Sequence, residues 1–143
     1  MLDGTLILCS NDAGGAEIIS SWVNINKYEN YYYVASGPAE LIFKYKLDHK
    51  RRLSLADSSL KGDWLLTGTS LSCNLELDAI NIFKSKGIKT VSFLDHWINY
   101  KERFLRNNIM TLPDEVWVGD SKSFEIASEF VASQPIPQIV SVG

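Results

Sequence analysis

The sequence predicts an α/β fold in three layers, with a mainly parallel sheet of about seven strands and helices on both of its faces. Short apolar runs, such as residues 5–9, alternate with longer segments in which apolar residues recur at helical spacing. Runs that are apolar throughout are typical of strands covered on both sides, and strands that alternate with helices pair in parallel through right-handed crossovers. These two observations predict the fold class.

Length and composition predict one domain over residues 1–143, large enough to bury about 68–70% of the surface of its unfolded chain. With 45% apolar residues, 22% charged residues and a formal net charge of -3, the chain has the balance of a soluble globular protein and not of a nucleic-acid binder. No apolar run approaches the ~20 residues of a membrane span, and the first residues lack the pattern of a signal peptide. We therefore expect a cytoplasmic protein.

The two cysteines, Cys9 and Cys73, have neither metal-ligand spacing nor a CxxC pairing. They fall within a predicted strand and a predicted helix, so we expect both to be small buried hydrophobic residues. The sequence predicts no metal site and no cofactor.

In the first half of the chain, strands are predicted at residues 5–9, 31–35, 52–56 and 63–67. The third of these has the weakest strand pattern. The helix after the first strand is expected to bury Ile18, Ile19, Trp22 and Val23. The helix after the second strand starts near Pro38, because proline suits a first helical turn, and is expected to bury Leu41, Ile42 and Tyr45.

In the second half, apolar residues every four positions from Leu71 to Phe83 predict a helix, and Gly87 stands where a C-terminal glycine belongs. A strand is predicted at residues 91–94, followed by a polar break. A loop with Pro113 leads to a strand at residues 115–118. The last elements are a helix at residues 123–131 and a strand at residues 138–142.

Small and polar residues follow each predicted strand, where parallel sheets bind their ligands. The same residue types also serve turns and helix caps, which is the preferred interpretation for Ser36, Asp57 and Asp120. The candidate substrate-binding residues are Asn11, Asp12, Gly14, Gly15, Thr69, Ser70 and Trp97.

Three of these loops have chemistry that a site requires. Gly14 and Gly15 let a ligand approach the backbone at a helix start, where an anion or a sugar hydroxyl would find free N–H groups. Thr69 and Ser70 supply hydroxyls, or cap a helix. After the fifth strand, His96 is a candidate general base that Asp95 would orient or replace, although neighbours on an extended segment point in opposite directions. Trp97 either packs in the core or contacts substrate.

Basic residues cluster in two places. Lys44, Lys46, Lys50, Arg51 and Arg52 surround His49, and this run predicts either a solvated helix end or a contact with an anionic membrane surface or an acidic partner. Lys101, Arg103 and Arg106 are either solvated in the same way or hold phosphate.

Four features carry a family resemblance: the glycine-bearing first loop, Leu66-Thr67-Gly68-Thr69-Ser70, Asp95-His96-Trp97, and the segment Leu112-Pro113-Asp114-Glu115-Val116-Trp117-Val118. Their order resembles the N-terminal half of two-domain GT-B glycosyltransferases and is similar to the related non-hydrolysing UDP-sugar 2-epimerases.

The resemblance implies a Rossmann-like domain that faces a second one across a cleft, in an enzyme of bacterial polysaccharide or glycan biosynthesis. The N-terminal domain would bind a sugar or glycan acceptor, with Gly14 and Gly15 lining the cleft, Thr69 and Ser70 contacting substrate, and Asp95 or His96 acting as base. A C-terminal domain, absent from these 143 residues, would hold the nucleotide-sugar. We therefore expect the isolated chain to be inactive and to bind a UDP-sugar only weakly.

Three other classes compete with this interpretation. A dinucleotide-dependent oxidoreductase would carry G-x-G-x-x-G after the first strand and an acid after the second, and both positions disagree. A receiver or flavodoxin-like signalling module would use Asp12 for a metal, Asp57 as phosphoacceptor and Thr67 as switch, but Asp95 replaces the basic residue expected after the fifth strand. A non-catalytic binding domain of the same fold is the third alternative.

Overall fold

A computed structural model of the protein describes residues 3–94, 99–118 and 138–141. Its strands are β1 (Leu6–Ser10), β2 (Tyr31–Ala35), β3 (Trp64–Thr67), β4 (Lys89–Leu94), β5 (Leu105–Arg106), β6 (Ile109–Met110), β7 (Glu115–Val118) and β8 (Gln138–Ser141). Six of them form one sheet in the order β2-β1-β3-β4-β7-β8, and every neighbouring pair is parallel. The predicted α/β fold with a mainly parallel sheet is therefore confirmed, but among the described residues the sheet has six strands and not seven.

The missing strand is the one predicted at residues 52–56. Only Arg52 makes a bridge, to Tyr33 on the outer edge of β2, directly after a 3-10 turn at His49–Arg51. The backbone N–H of Asp57 then donates to the carbonyl of Ser54 at 3.1 Å, which turns the chain away from the sheet. The prediction was wrong because pairing with β2 stops after the Leu53 N–H, which donates to the Tyr33 carbonyl at 2.9 Å, and a turn follows in place of a continued ladder.

The side chains of β1 join two hydrophobic cores. Because successive side chains of a strand point to opposite faces, Leu6 and Leu8 of β1 join a core with α1 (Ala13–Ile25) and α2 (Ala39–Lys46). Ile7 and Cys9 join a second core with α3 (Leu75–Ser85). The residues predicted to face inward on α1 do so: Ile19 and Val23 are buried, and Ile18 and Trp22 pack against the same core.

The buried face of α2 differs from the prediction. Leu41 and Tyr45 are 58% and 77% exposed, whereas Ala39 and Phe43 are fully buried. The ring of Phe43 meets that of Tyr33 edge to face at 5.3 Å, and the small Ala39 lets the helix approach the sheet. This aromatic contact with β2 sets the rotation of the helix.

The third helix starts later than predicted. Leu71 is 46% exposed and lies in the loop before α3, which begins at Leu75. Its end agrees with the prediction, since Gly87 has a φ of +74° and Ile88 N–H donates to the carbonyl of Phe83 at 3.0 Å. This is the hydrogen bond of a glycine-terminated helix.

The segment before β7 contains structure that the sequence analysis missed. A short helix, α4 (Tyr100–Arg103), precedes a hairpin of β5 and β6, whose turn residues Asn107 and Asn108 have φ of +50° and +64°. Asparagine tolerates this backbone better than most residues, so the Asn-Asn pair was the available signal.

None of the helices in the described ranges is long and apolar enough to cross a bilayer. The helix predicted at residues 123–131 lies outside the described residues.

Candidate functional site

The strand order determines where a ligand site is expected. From β1 the chain moves to β2 on one side and, later, to β3 on the other, so the loops after β1 and β3 diverge from one point at the carboxyl edge. In open parallel sheets this switch point is where ligands bind. Since β1, β3 and β4 are adjacent and parallel, their following loops start at the same edge.

The loop after β1 is held by Asn11, a predicted binding residue. Its backbone N–H donates to Glu76 Oε2 at 3.1 Å, and its side-chain amide donates to Asp12 Oδ1 at 2.9 Å. Its Oδ1 accepts from the hydroxyl of Ser36 at 2.8 Å. Asn11 therefore joins the connections after β1 and β2 to the start of α3, and Ser36 serves this network and not as the cap of α2.

Asp12 lies directly before α1 and is half-buried, and its carboxylate makes no capping hydrogen bond to the helix. Gly14 is half-buried in the first turn of α1. These two predicted residues are therefore partly accessible at the switch point.

Gly15 has a packing role that the sequence analysis did not foresee. It is buried, and a Cβ built on it would lie 2.9 Å from Ser10 Oγ and 3.0 Å from the Cα of Gly68. A Cβ on Gly68 would in turn lie 3.0 Å from the Cα of Gly15. The two glycines let α1 approach the loop after β3, which explains Gly15 without a ligand.

Thr69 and Ser70 are each only 3% exposed. Arg103 Nη1 lies 3.3 Å from Thr69 Oγ1 and 3.4 Å from its carbonyl oxygen, and donates to both. The hydroxyl of Ser70 lies 3.1 Å from each carboxylate oxygen of Glu76. Through these hydrogen bonds, the hydroxyls of Thr69 and Ser70 hold the loop after β3 in place.

The residue that sequence reasoning missed is Glu76. It is 2% exposed, at the start of α3, and accepts from the Asn11 backbone as well as from the Ser70 hydroxyl. Burial raises the pKa of its carboxyl, the hydrogen bonds from the Asn11 backbone, its own backbone and Ser70 lower it, and the charge of Asp12 raises it again. The available signal was its helical spacing to the buried Ile80 and Phe83, which places an acid on an apolar face.

A buried carboxyl at a ligand-binding edge is characteristic of functional sites, because burial and neighbouring charges shift its pKa. Here the same carboxyl also connects two loops. The arrangement can therefore preorganise a binding surface at the switch point.

Arg103 and Arg106, for which solvation and phosphate binding were the two alternatives, are both engaged with the protein. Arg106 donates to the carbonyls of Ser70 at 2.7 Å and Cys73 at 3.0 Å, and to Asn74 Oδ1 at 2.9 Å. These bonds hold the segment before α3 out of the helix, which explains why α3 starts after Asn74. Lys101 is exposed.

The basic run at residues 44–52, from the end of α2 through the 3-10 turn, is largely neutralised. Lys46 pairs with Glu17 at 2.8 Å, Arg51 with Asp48 at 3.6 Å, and Arg52 with Glu40 at 2.6 Å. Within the described ranges no ion pair involves Lys44 or Lys50.

The two cysteines differ in environment. Cys9 is fully buried, as predicted, and burial raises the pKa of its thiol well above the ordinary value. Cys73 is half-buried in the loop before α3, and not in a helix, with its sulfur 3.9 Å from Ser36 Oγ. Among the residues that the structure describes, no group of three or more potential metal ligands occurs.

Asp95, His96 and Trp97 lie outside the described residues. They follow β4, which ends at Leu94 and lies between β3 and β7 in the sheet.

No protein-family model, no curated protein and no solved structure matches this chain.

Proposed function

We propose that this chain is the acceptor-binding N-terminal domain of a GT-B-type glycosyltransferase, or of a related sugar-nucleotide enzyme, in bacterial glycan biosynthesis. The domain would be one of two three-layer Rossmann-like units that face each other across a cleft in the cytoplasm. The observation that supports this best is the switch point itself. There the connections after β1, β2 and β3 are tied together by Asn11 and Glu76.

Such a rigid edge suits an acceptor platform, because a positioned hydroxyl needs little further ordering before it reacts. Asp95 or His96, which follow β4 in the sequence, would remove the proton of the acceptor hydroxyl. The hydroxyl oxygen would form the new bond to the anomeric carbon as the bond to the nucleoside diphosphate breaks. A general base of this kind contributes about a hundredfold to ten-thousandfold in rate.

The test uses the natural gene product in the length its cells make. UDP and GDP release would be measured from UDP-N-acetylglucosamine, UDP-glucose and GDP-mannose, with glycan extract as acceptor. We expect Asp95→Asn or His96→Ala to lower kcat about a hundredfold or more without lowering Tm. Glu29→Gln, an exposed site before β2, is the matched control and should keep full activity.

Two results would argue against the proposal. Full activity in both variants, or no nucleotide release with any donor, would favour a non-catalytic binding domain. Micromolar binding of a UDP-sugar to the 143-residue chain alone, measured by calorimetry, would contradict the assignment of the nucleotide-sugar to a second domain.

A receiver-like module is the second candidate, because a 2-1-3-4-5 strand order occurs in flavodoxin-like signalling domains. Two positions disfavour it. Asp57 lies in a turn before β3, where a phosphoacceptor would have to follow that strand, and Thr67 is fully buried with its hydroxyl 2.7 Å from Ser92 Oγ. Acetyl-phosphate labelling confined to Asp57 would restore this candidate.

Any peripheral contact with an anionic membrane would use Lys44 and Lys50 together with the exposed Leu41 and Tyr45. Two unpaired lysines contribute about 2 kcal/mol to such binding, so we expect it to be weak and reversible.

A further inference from the structure

A cavity of about 520 Å³ opens beside the carboxyl end of β2. Its lining includes Ala35 at the end of β2, Arg52, Leu53, Leu55 and Asp57 in the following segment, and Leu75 at the start of α3. Its volume lies within the range of about 300–1,000 Å³ that is usual for ligand pockets. Nothing assigned above to the switch point uses this space.

The cavity exists because residues 52–56 do not form a strand. After the bridge between Arg52 and Tyr33 the chain turns at Ser54 and Asp57, and so leaves space beside the end of β2. The cavity adjoins the loops that Asn11 ties together, because its lining residue Ala35 directly precedes Ser36, whose hydroxyl donates to Asn11 Oδ1. On the other side, Leu75 directly precedes Glu76.

The polar groups of the cavity include both donors and acceptors. Arg52 Nη2 donates to the carbonyl of Ala35 at 3.3 Å and to Glu40 at 2.6 Å, and no hydrogen bond between described residues uses its Nε or Nη1. Asp57 is half-buried, and its Oδ1 accepts from the Ser59 backbone at 2.8 Å. Within the described chain, no partner occupies Asp57 Oδ2.

The charges favour an uncharged ligand. Among the lining residues, Arg52 contributes one positive charge and Asp57 one negative charge, so the lining is neutral overall. A phosphate or nucleotide would therefore gain no net electrostatic attraction from this lining, because Asp57 opposes Arg52, which is already paired with Glu40. A sugar hydroxyl both donates and accepts, so one ring can satisfy the guanidinium and the carboxylate together.

We propose that this cavity binds a neutral saccharide. Its hydroxyls donate to Asp57 and accept from Arg52, and its C–H groups pack against the aliphatic wall of Val34, Leu53 and Leu55. The binding itself follows from the cavity. Its role as the subsite for the acceptor's neutral sugar rests on the function proposed above.

The test is titration of the ¹⁵N-labelled 143-residue chain, followed by amide chemical shifts. The probes are N-acetylglucosamine and cellobiose, with inorganic phosphate and UDP as charged comparators. We expect the neutral sugars to shift the amides of residues 52–57 with a Kd of about 1 mM, and the charged probes to leave them unchanged.

Two variants and one control locate the site. Asp57→Asn keeps the oxygen that accepts from Ser59 but removes the charge, and should weaken saccharide binding about tenfold. Leu55→Trp fills the cavity and should abolish binding. Glu29→Gln, which lies outside the cavity, should bind as the wild type does.

Sugar-induced shifts that avoid residues 52–57, stronger binding of phosphate there, or unchanged affinity in Asp57→Asn would each overturn the inference. Asp57→Asn keeps the test decisive if Leu55→Trp does not fold.

The experiments also distinguish failure of this inference from failure of the proposed function. If Asp95 and His96 variants keep transfer activity while saccharides still bind, only the proposed function is wrong; if those variants lose activity while the cavity variants keep the acceptor KM, only this inference is wrong.

Discussion

Glu76 is the residue whose replacement tests the physical account of the site most directly. Glu76→Ala removes the acceptor of the Asn11 N–H and of the Ser70 hydroxyl at a position that is 2% exposed. Glu76→Gln keeps the shape, because its amide oxygen can accept from Asn11 while its NH₂ donates to Ser70. The pair of variants separates the hydrogen-bonding role from the charge.

The magnitude follows from the donors left unpaired. A buried donor without a partner costs about 1–3 kcal/mol, and the Ser70 hydroxyl can rotate in search of another acceptor, whereas the Asn11 N–H cannot. We therefore expect Glu76→Ala to lower the free energy of unfolding by about 3 kcal/mol. In a chain of this size that lowers Tm by roughly 6–12 °C. Glu76→Gln should cost about 1 kcal/mol or less at neutral pH.

The pH dependence has a definite sign. Burial raises the pKa of Glu76 above the ordinary value of 4.5, so the folded chain binds this proton more tightly than the unfolded chain does. The contribution of Glu76 to stability is therefore complete below about pH 4.5 and is lost as the pH rises through the raised pKa. The Gln variant lacks this titration, so the wild type should lose stability relative to Glu76→Gln across that window.

Urea unfolding of the three proteins at intervals from about pH 4.5 to 8 measures both effects. Equal stability of the Ala and Gln variants would show that the two hydrogen bonds contribute nothing. A wild type that gains stability relative to Glu76→Gln with rising pH would refute the assignment of burial as the dominant cause.

Two further predictions concern packing and thiol access. Gly15→Ala should lower the free energy of unfolding by about 1–3 kcal/mol, because the new Cβ meets the Gly68 backbone at 3.0 Å. The change is measured as a lower Tm in differential scanning calorimetry. An unchanged Tm would show that the helix can move away. In the native protein a thiol-specific chromogenic reagent should label Cys73 alone and both cysteines only after unfolding, since Cys9 is fully buried with a raised thiol pKa. Native labelling of Cys9, identified by peptide mass, would contradict this.

The agreement and the errors of the sequence analysis have physical causes in particular residues. The run at residues 5–9 became a strand that is buried on both faces, the run at residues 31–35 became a strand that exposes only Tyr32, and Gly87 ends α3 because its backbone has positive φ. The strand predicted at residues 52–56 did not form, because a hydrophobic pattern does not show whether a sheet edge is available to pair with the segment. Phe43, and not Leu41, faces the core because the position of Tyr33 decided the rotation of α2.

For the candidate site, too, the sequence indicated some features and not others. The sequence placed Asn11, Thr69 and Ser70 correctly at the carboxyl edge, because residues that follow parallel strands all emerge there. It did not reveal that the Thr69 and Ser70 hydroxyls bond within the protein, or that Gly15 packs against Gly68.

By itself, then, the amino-acid order determined the kinds of element and the edge at which polar loops gather, because hydrophobic periodicity reports how each segment is buried. Only the tertiary structure decided which loops become neighbours. That depends on the order of strands in the sheet, and it brought the carboxyl of Glu76 between two connections whose sequences show no sign of each other.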